Sequence, residues 1–357
     1  MSDNSKPEAN RGRGALSSPP NRFLKLSYHR DPDAEVDEEV STKTELLRDT
    51  SQSIIAHNDS PDVGFATSVN PYRGCEHGCI YCYARPTHEY LGFSAGLDFE
   101  TKIMVKETAP ALLRKELSSK KWKPQMLSFS GVTDPYQPAE RKLMLTRQCL
   151  EVCLEFRNPI GIVTKNALVT RDIDVLKEFA KFNGAAVFVS VTSLDPELAR
   201  IMEPRASTPE RRLAAIEELS RAGIETGVMV APIIPGMTDH EIPSIVAAAA
   251  KAGARHAGIT IVRLPYAVSE LFEQWLEEHK PDRKEKVLNQ LRDMRDGKLN
   301  GTDWGTRMTG TGVVAVQIQS LFKLSCKKAG MNSSPLNLST QHFRRPDDKQ
   351  LSLFETG

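Results

Sequence analysis

Six short apolar runs alternate with helical segments between residues 65 and 262, and this alternation restricts the fold more than any other feature. β-branched and aromatic side chains predict these runs to be strands: Phe65–Val69, Met126–Ser130, Ile160–Thr164, Ala186–Val191, Gly227–Ala231 and Gly258–Val262. Alternating strands and helices predict parallel strands joined by right-handed crossovers. The chain is therefore predicted to be an α/β protein with six units, fewer than the eight of a complete TIM barrel.

Helix start signals separate the predicted strands. Thr108 to Leu117 is predicted to be a helix with Pro110 in its first turn. Three further starts are predicted from capping residues, namely Thr170, Thr208 followed by Pro209, and a capping box of Thr238 with Glu241. Residues 267–280 are predicted to form the last helix of the core.

Composition restricts the class of protein. The chain has 357 residues, 39% of them apolar, and a net charge of +1, so it can bury a large core and has no overall charge that demands nucleic acid or membrane. The longest apolar stretch, Ile242 to Ala250, is interrupted by Pro243 and Ser244 and is too short to span a bilayer. The first 30 residues lack the apolar region of a signal peptide, so we expect a cytoplasmic location and no membrane partner.

Charge patterns divide the chain into three predicted regions. Residues 1–60 contain Arg11–Gly14 and a run of acidic residues between 31 and 39, and are predicted to be largely disordered, although Asn21–Leu24 is expected to dock on the core. Residues 61–280 form the predicted core. Residues 281–357 carry 13 Lys and Arg against 8 Asp and Glu, with an amphipathic helix predicted from Val313 to Lys328. In the final stretch, Leu353 and Phe354 are candidates to pack on the core.

Three of the six cysteines lie within eight residues of one another. Cys75, Cys79 and Cys82 are separated by three and then two residues, which brings three thiols together on one loop. A structural zinc site is closed by four ligands, and an iron–sulfur cubane normally takes four cysteines. Three cysteines therefore suggest a cluster with one iron open to another ligand. The alternative is a zinc site with His77 or His88 as fourth ligand; a disulfide is disfavoured because nothing marks the chain as secreted.

This loop, with Tyr81 before the third cysteine, resembles the loop of the radical S-adenosylmethionine (SAM) superfamily. The resemblance implies a 4Fe–4S cluster held by Cys75, Cys79 and Cys82, with SAM bound to the fourth iron and cleaved reductively to a 5′-deoxyadenosyl radical. It also implies a partial (β/α)6 TIM-type barrel with N- and C-terminal extensions. Residues that carry chemistry are then expected at the C-terminal ends of the strands, with the cysteine loop directly after the first strand.

From Asn70 to about Pro265 the chain resembles, more narrowly, the spore photoproduct lyase branch of this superfamily. The matching motifs are Tyr81-Cys82-Tyr83, Thr133-Asp134 after the second strand, Lys165 after the third, Ser190 at the end of the fourth, and a turn from Arg205 to Arg211. The resemblance implies that Thr133, Asp134, Lys165 and Ser190 contact SAM, with Tyr81 near the adenine. Arg205 is a further candidate for holding a carboxylate. Considered without the resemblance, Asp134-Pro135 predicts only a turn.

One position departs from that branch. Spore photoproduct lyase has a cysteine before the Thr-Asp pair that returns a hydrogen atom to the substrate, and Val132 stands at that position here. Cys149 and Cys153 are spaced by one helical turn, and Cys326 lies in an apolar helical stretch, so all three are predicted to be core residues. The hydrogen donor is therefore absent, is a tyrosine, or belongs to a different reaction.

Three functions remain open from the sequence. The first is a radical SAM enzyme that abstracts hydrogen from an unknown substrate, with nucleic acid as the candidate because of the lyase resemblance and the basic C-terminal segment. The second is a radical SAM enzyme that modifies a peptide or a small molecule. The third is a non-enzymatic module that binds zinc or a cluster. For an enzyme, the resemblance also implies an electron donor such as flavodoxin or ferredoxin.

Overall fold

The computed structural model describes residues 12–24 and 43–346. The strands are β1 (Glu45–Arg48), β2 (Ile55–His57), β3 (Thr67–Val69), β4 (Tyr72–Arg73), β5 (Lys102–Val105), β6 (Leu127–Phe129), β7 (Ile160–Thr164), β8 (Ala185–Ser190), β9 (Glu225–Ile233) and β10 (His256–Ile261). The α-helices are α1 (Leu97–Thr101), α2 (Ala109–Ser118), α3 (Glu140–Leu143), α4 (Leu145–Phe156), α5 (Ile173–Ala180), α6 (Pro196–Met202), α7 (Pro209–Arg221), α8 (Ile242–Lys251), α9 (Ala267–His279), α10 (Pro281–Asp293) and α11 (Gly312–Ala329). Three 3₁₀ helices span Arg85–Leu91, Ala167–Asp172 and Asp239–Glu241.

The main sheet contains seven strands in the order β10-β9-β8-β7-β6-β3-β2. The six strands from β3 to β10 in this sheet are all parallel to their neighbours, and β2 joins β3 antiparallel at one edge. These six parallel strands are the six predicted from sequence, displaced by no more than two residues at either end. The fold is therefore the expected α/β architecture, a partial TIM-type barrel of six strand–helix units.

Burial explains why the sequence pattern located these strands. β8 is buried at five of its six positions, and β7 alternates buried and half-buried residues. Helix α4 contributes Cys149 and Cys153 to the core, both with no exposed surface, and Cys326 on α11 is also buried. The prediction that these three cysteines are core residues is confirmed.

Three strands form a second sheet in the order β1-β5-β4, and the cysteine loop is attached to this sheet rather than to the main one. β4 pairs antiparallel with β5, and β1 pairs parallel with β5. The cysteine loop leaves β4, so the expectation that it directly follows the first strand of the main sheet is corrected. Strands as short as the two residues of β4 have no periodicity that a sequence could display.

Only one of the three predicted caps makes its side-chain bond, although Thr238 does stand at the N-cap of the 3₁₀ helix Asp239–Glu241. Thr208 caps α7 as expected, since its side chain accepts a hydrogen bond from the backbone N of Arg211. Thr170 instead lies inside a 3₁₀ helix, where its hydroxyl donates to Ala167 O, 3.1 Å away. Thr238 accepts from the backbone N of Ile234. In both cases the hydroxyl bonds a backbone group that lies earlier in the chain instead of the first turn of the helix that follows.

The terminal regions are more ordered than their composition predicted, wherever the structure describes them. Asn21 docks as expected, because its amide donates to Glu89 O at 2.7 Å and Phe93 O at 3.0 Å. Ala15 has no exposed surface, and Arg13 is buried, so the prediction of disorder over residues 1–60 does not hold for 12–24 and 43–60. α9 and α11 confirm the two predicted C-terminal helices. The acidic run, Leu353 and Phe354 lie outside the described residues.

Within the described residues, no helix combines the length and the apolar character needed to cross a bilayer.

Candidate active site

The three cysteines of the loop line one cavity at the C-terminal end of the sheet. Cys75 and Cys79 are buried, Cys82 is half-buried, and all three are free thiols. The loop is fixed to the core by backbone bonds from Cys75 N to Phe99 O (2.9 Å) and from Ile80 N to Met202 O (3.0 Å). The loop therefore presents three thiols toward a common space before any ligand is bound.

The opposite wall of this cavity comes from three neighbouring parallel strands. Residues 130–134 follow β6, Lys165 follows β7, and Ser190 ends β8. Gly131 has a φ of +105°, a conformation that favours glycine and brings the backbone to the cavity surface. Adjacent carboxyl ends of parallel strands thus gather the side chains of Thr133, Lys165 and Ser190 opposite the thiols.

A buried arginine holds the cysteine loop in shape. The Arg85 guanidinium donates to Cys79 O (3.0 Å), Gly78 O (3.2 Å), and the carbonyl oxygens of Ala95 and Gly96. Its charge is paired with Glu100, and neither side chain has any exposed surface. Every hydrogen bond that the structure describes from Arg85 goes to a backbone carbonyl or to Glu100. The Arg85–Glu100 pair therefore holds the cysteine loop in its path.

Glu100 also binds the N-terminal strap, which we define as residues 12–24. Its carboxylate accepts from Gly14 N at 3.0 Å and Ala15 N at 2.8 Å, and its carbonyl accepts from Arg13 at 2.8 Å. A Cβ on Gly14 would lie 1.8 Å from Gly78 O, so the strap packs backbone to backbone on the cysteine loop. The strap and the loop are therefore joined through one buried carboxylate.

The residues present fit a metal cluster ligated by thiolates. Burial raises the pKa of Cys79 well above its usual value, with Glu203 adding to the shift, and burial with the nearby Cys75 raises the pKa of Cys82. Burial thus favours the protonated thiol at Cys79 and Cys82, whereas coordination to a metal deprotonates a thiol outright. Within residues 12–24 and 43–346, no three His, Cys, Asp or Glu side chains are placed to hold a single ion. A cubane makes no such demand, because each cysteine binds a different iron.

The two histidines considered as zinc ligands have other contacts. His77 Nδ1 lies 3.4 Å from Asp134, and its Nε2 lies 3.1 Å from the amide of Asn166. His88 Nε2 bonds Lys102 O at 2.9 Å, and its ring packs against Phe93 and Phe99. His77 lines the cavity as a partner of Asp134, whereas His88 belongs to the support of the loop.

Asp134 is bound by the protein itself. Its carboxylate accepts from Thr164 Oγ1 (2.7 Å), Lys165 N (2.7 Å) and Tyr136 N (2.8 Å), in addition to the contact with His77. Burial acts to raise the pKa of Asp134, but His77 and these hydrogen bonds outweigh it and lower the pKa to about 2. The carboxylate is therefore ionised and uses about four lone-pair sites on protein donors. The hydrogen bond from Tyr136 N to the Asp134 carboxylate closes the turn that the Asp134-Pro135 sequence predicted.

Lys165 lies between the two walls of the cavity. Its ammonium is 3.4 Å from Ala231 O and 5.9 Å from the ring centre of Tyr81, and it makes no ion pair with the residues that the structure describes. Burial lowers the pKa of Lys165, while the neighbouring Cys79 raises it. An amine in this position is available to an anionic group that enters the cavity.

Tyr81 and Arg205 lie outside the cavity lining. The Tyr81 hydroxyl is buried and bonds Glu203, which is itself paired with buried Arg212. Arg205 pairs with Glu76 at 3.2 Å, and its backbone N bonds His77 O at 3.3 Å. The structure thus gathers four of the six expected SAM contacts beside the cysteines, and both Tyr81 and Arg205 support the loop from behind.

Sequence reasoning missed the residues that hold the loop. Glu100 bonds Gly14 and Ala15, and Glu203 bonds Tyr81, all far away in sequence, and an isolated acidic residue gives no signal of such a role. Arg85 lies close to the third cysteine, but nothing in the sequence distinguishes it from an exposed arginine.

Comparisons with known proteins agree with this geometry. The family model described as the Radical SAM superfamily matches residues 69–249, half of the chain. An uncharacterised protein of Mycobacterium tuberculosis is 38% identical over 220 residues, covering 61% of this chain and 65% of that protein. A radical SAM Nalpha-GlyT isomerase of Pseudomonas phage M6 is 26% identical over 219 residues, covering 59% of this chain and 44% of the isomerase. The chain therefore spans less than two thirds of either relative.

Solved structures show the same fold. Spore photoproduct lyase complexed with dinucleoside spore photoproduct matches with a TM-score of 0.57 and 16% identity over 80% of both chains. A double mutant of that lyase, with bound AdoMet and dinucleoside spore photoproduct, matches with a TM-score of 0.56 and 17% identity over 80% of both chains. The family match over half of the chain shows that this protein belongs to the radical SAM superfamily, whose members use a 4Fe–4S cluster and SAM.

Proposed function

We propose that this enzyme binds its 4Fe–4S cluster through Cys75, Cys79 and Cys82, cleaves SAM reductively, and abstracts hydrogen from a nucleic-acid substrate. The observation that carries the proposal is that three free thiols of one loop share a cavity with the ends of three parallel strands. When bound, the cluster and SAM supply a 5′-deoxyadenosyl radical as the hydrogen-abstracting agent. The protein holds and shields that chemistry.

Each polar residue of the cavity has a proposed role toward SAM. Lys165 offers an ammonium without an ion pair in the described structure, which suits the carboxylate of SAM. Thr133 and Ser190 offer hydroxyls from neighbouring strand ends. Asp134, whose oxygens already accept from protein donors, orients Lys165 and His77 rather than contacting the ligand directly.

Tyr81 and Arg205 are assigned supporting roles. The Tyr81 ring lies beside Lys165, so it limits where the ammonium can move. Arg205 neutralises Glu76 on the cysteine loop. Tyr81 and Arg205 would then act on SAM only through the residues that they contact. Substituting either one would weaken SAM binding less than substituting Lys165.

Tyr83 is the proposed hydrogen donor in place of the missing cysteine. It lines the cavity with Val132, and its hydroxyl donates to Gly131 O at 2.6 Å. Its phenolic hydrogen exchanges with solvent. In deuterated water, 5′-deoxyadenosine formed without substrate should carry solvent deuterium in the wild type and much less in Tyr83→Phe; equal labelling in both would exclude Tyr83.

One similarity favours nucleic acid as the substrate. A lyase structure with the same fold holds a dinucleoside spore photoproduct. The basic surplus of residues 281–357 is consistent with this choice. A cytoplasmic location and an electron donor of the flavodoxin or ferredoxin type belong to the same proposal.

The deciding experiment measures 5′-deoxyadenosine released by the anaerobically reconstituted, reduced protein supplied with SAM. It is run with and without ultraviolet-irradiated DNA, with Cys79→Ala as the inactive control. Release that irradiated DNA stimulates would support both the radical chemistry and a repair-like substrate. Release indifferent to DNA would keep the chemistry and remove that substrate, and no release from cluster-loaded protein would refute the proposal.

A further inference from the structure

A second cleft adjoins the cysteine cavity. We call it the aromatic–arginine cleft and define it by Arg22, Tyr83, Tyr90, Arg263 and Tyr266, which line a cavity of about 240 Å³. Tyr83 lines both this cleft and the cysteine cavity. A ligand bound in the cleft would therefore lie next to the site of the radical chemistry.

Aromatic rings are exposed around the cleft. Tyr90 is 72% exposed, Tyr266 is 67% exposed, and Phe23 of the N-terminal strap is 53% exposed. The Arg22 guanidinium lies 3.8 Å from the ring centre of Tyr266 and 5.6 Å from that of Tyr90. Exposed aromatic rings grouped in this way indicate a surface that binds a ligand or a partner, because they do not contribute to the core.

The backbone at Tyr266 supports the same interpretation. Tyr266 adopts a φ of +51° immediately before α9, a conformation that costs a non-glycine residue free energy. The tyrosine ring is mostly exposed, so burial of that ring does not offset this cost. Strain of this kind concentrates at functional sites, where the side chain must point in one direction.

Positive charge lies at the base of the cleft. Arg263 Nε is buried without a hydrogen-bond acceptor among the described residues, and its Nη1 meets only Met308 Sδ at 3.8 Å. Behind it, Arg295 is 5% exposed, and both its Nε and Nη1 lack acceptors in the same part of the chain. Burial, with the charge of Arg263, lowers the pKa of Arg295 to about 10.

A neighbouring arginine differs from Arg263 and Arg295 because it has a carboxylate partner. Arg307 is paired with Asp62. No described carboxylate forms an ion pair with Arg263 or Arg295. Arg295 Nη2 donates to Val262 O at 2.7 Å. Buried guanidinium nitrogens without acceptors are costly, so an anionic ligand bound at Arg263 would recover a lost hydrogen bond.

We propose that the aromatic–arginine cleft binds single-stranded nucleic acid, with nucleobases stacked on Tyr90 and Tyr266 and a backbone phosphate bound by Arg263. Exposed aromatic rings beside a guanidinium that pairs with no described carboxylate match the two recurring elements of single-strand recognition. Bases inside a duplex cannot reach such rings, so the strand must be single or the nucleotide extruded. The inference rests on the proposed function, because the cleft would deliver a nucleotide past Tyr83 to the radical site.

Binding is tested by fluorescence anisotropy of a labelled 12-nucleotide DNA with the reconstituted holoenzyme, over a range of salt concentrations. Tyr90→Ala and Tyr266→Ala should each weaken binding by about fivefold or more, whereas Tyr90→Phe and Tyr266→Phe keep the stacking surface and should stay within about twofold of wild type. Arg263→Gln should reduce the slope of log K against log salt by about one. Arg221→Gln, at an exposed ion pair on α7, is the matched control and should bind as wild type.

Three results would overturn the inference. They are the absence of single-strand binding at low salt, equal affinity of the alanine and phenylalanine variants, and tighter binding of a blunt duplex or an acidic peptide than of the single strand. SAM cleavage without substrate is measured on the same preparations. If the enzyme cleaves SAM and the cleft variants bind DNA as tightly as wild type, the cleft assignment fails and the proposed function stands. If wild type binds DNA through the cleft but cleaves no SAM, the proposed function fails.

Discussion

The buried pair of Arg85 and Glu100 gives the sharpest test of how the cysteine loop is held. We consider Glu100→Gln, which keeps the size of the side chain and removes its charge. Glu100 accepts from Gly14 N, Ala15 N and Arg85, and neither charged side chain is exposed to water. The glutamine amide must turn an NH₂ group toward one of these donors, so one buried donor loses its acceptor.

The expected magnitude follows from this burial. Removing one partner of a buried ion pair costs about 3–5 kcal/mol, because water cannot replace the lost charge. An exposed pair such as Arg221 with Glu217, whose side chains are 74% and 45% exposed, contributes about 0–1 kcal/mol. Glu100→Gln should therefore lower the free energy of unfolding by several kcal/mol, and Glu217→Gln should hardly change it.

The assay is urea unfolding followed by circular dichroism, combined with iron analysis and limited proteolysis. We expect Glu100→Gln to unfold at lower urea, to retain less iron after reconstitution, and to be cleaved faster within residues 12–24. If its free energy of unfolding stays within about 1 kcal/mol of wild type and iron loading is unchanged, the claim that Glu100 joins the strap to the loop is refuted.

Three further predictions follow from the site. Cys79→Ser should abolish cluster absorbance, whereas Cys149→Ser, in the core of α4, should reduce stability but leave iron content intact; loss of iron in both would contradict the assignment. Burial lowers the pKa of His88 to about 4, so the unfolded chain takes up a proton below about pH 6.5 while folded His88 stays neutral. His88 should therefore lower the free energy of unfolding by about 2 kcal/mol from pH 7 to pH 5, measured as the difference between wild type and His88→Gln over that range. Lys165→Met should weaken SAM binding by about tenfold or more in isothermal titration with cluster-loaded protein, and unchanged affinity would remove Lys165 from the SAM site.

Local sequence was sufficient for the six main strands and for one of the three helix caps. The six main strands were predicted from short runs rich in β-branched and apolar residues, and Thr208 was predicted as a cap because its partner is three residues away. Thr170 and Thr238 carry the same signals, yet their hydroxyls bond elsewhere. A capping pattern shows that a hydroxyl can bond a nearby backbone group, but it does not decide which of several nearby groups the hydroxyl bonds.

The sequence by itself determined the strand–helix repeat and the three thiols on one loop, because a spacing of three and two residues holds them together whatever surrounds them. Only the tertiary structure decided what faces those thiols. Glu100 meets Ala15 across 85 residues, Asp134 turns its carboxylate to the protein, and Arg263 and Tyr266 join Arg22 in a cleft beside the cysteine cavity. Such contacts depend on how distant segments pack, and no periodicity or spacing within a single segment encodes them.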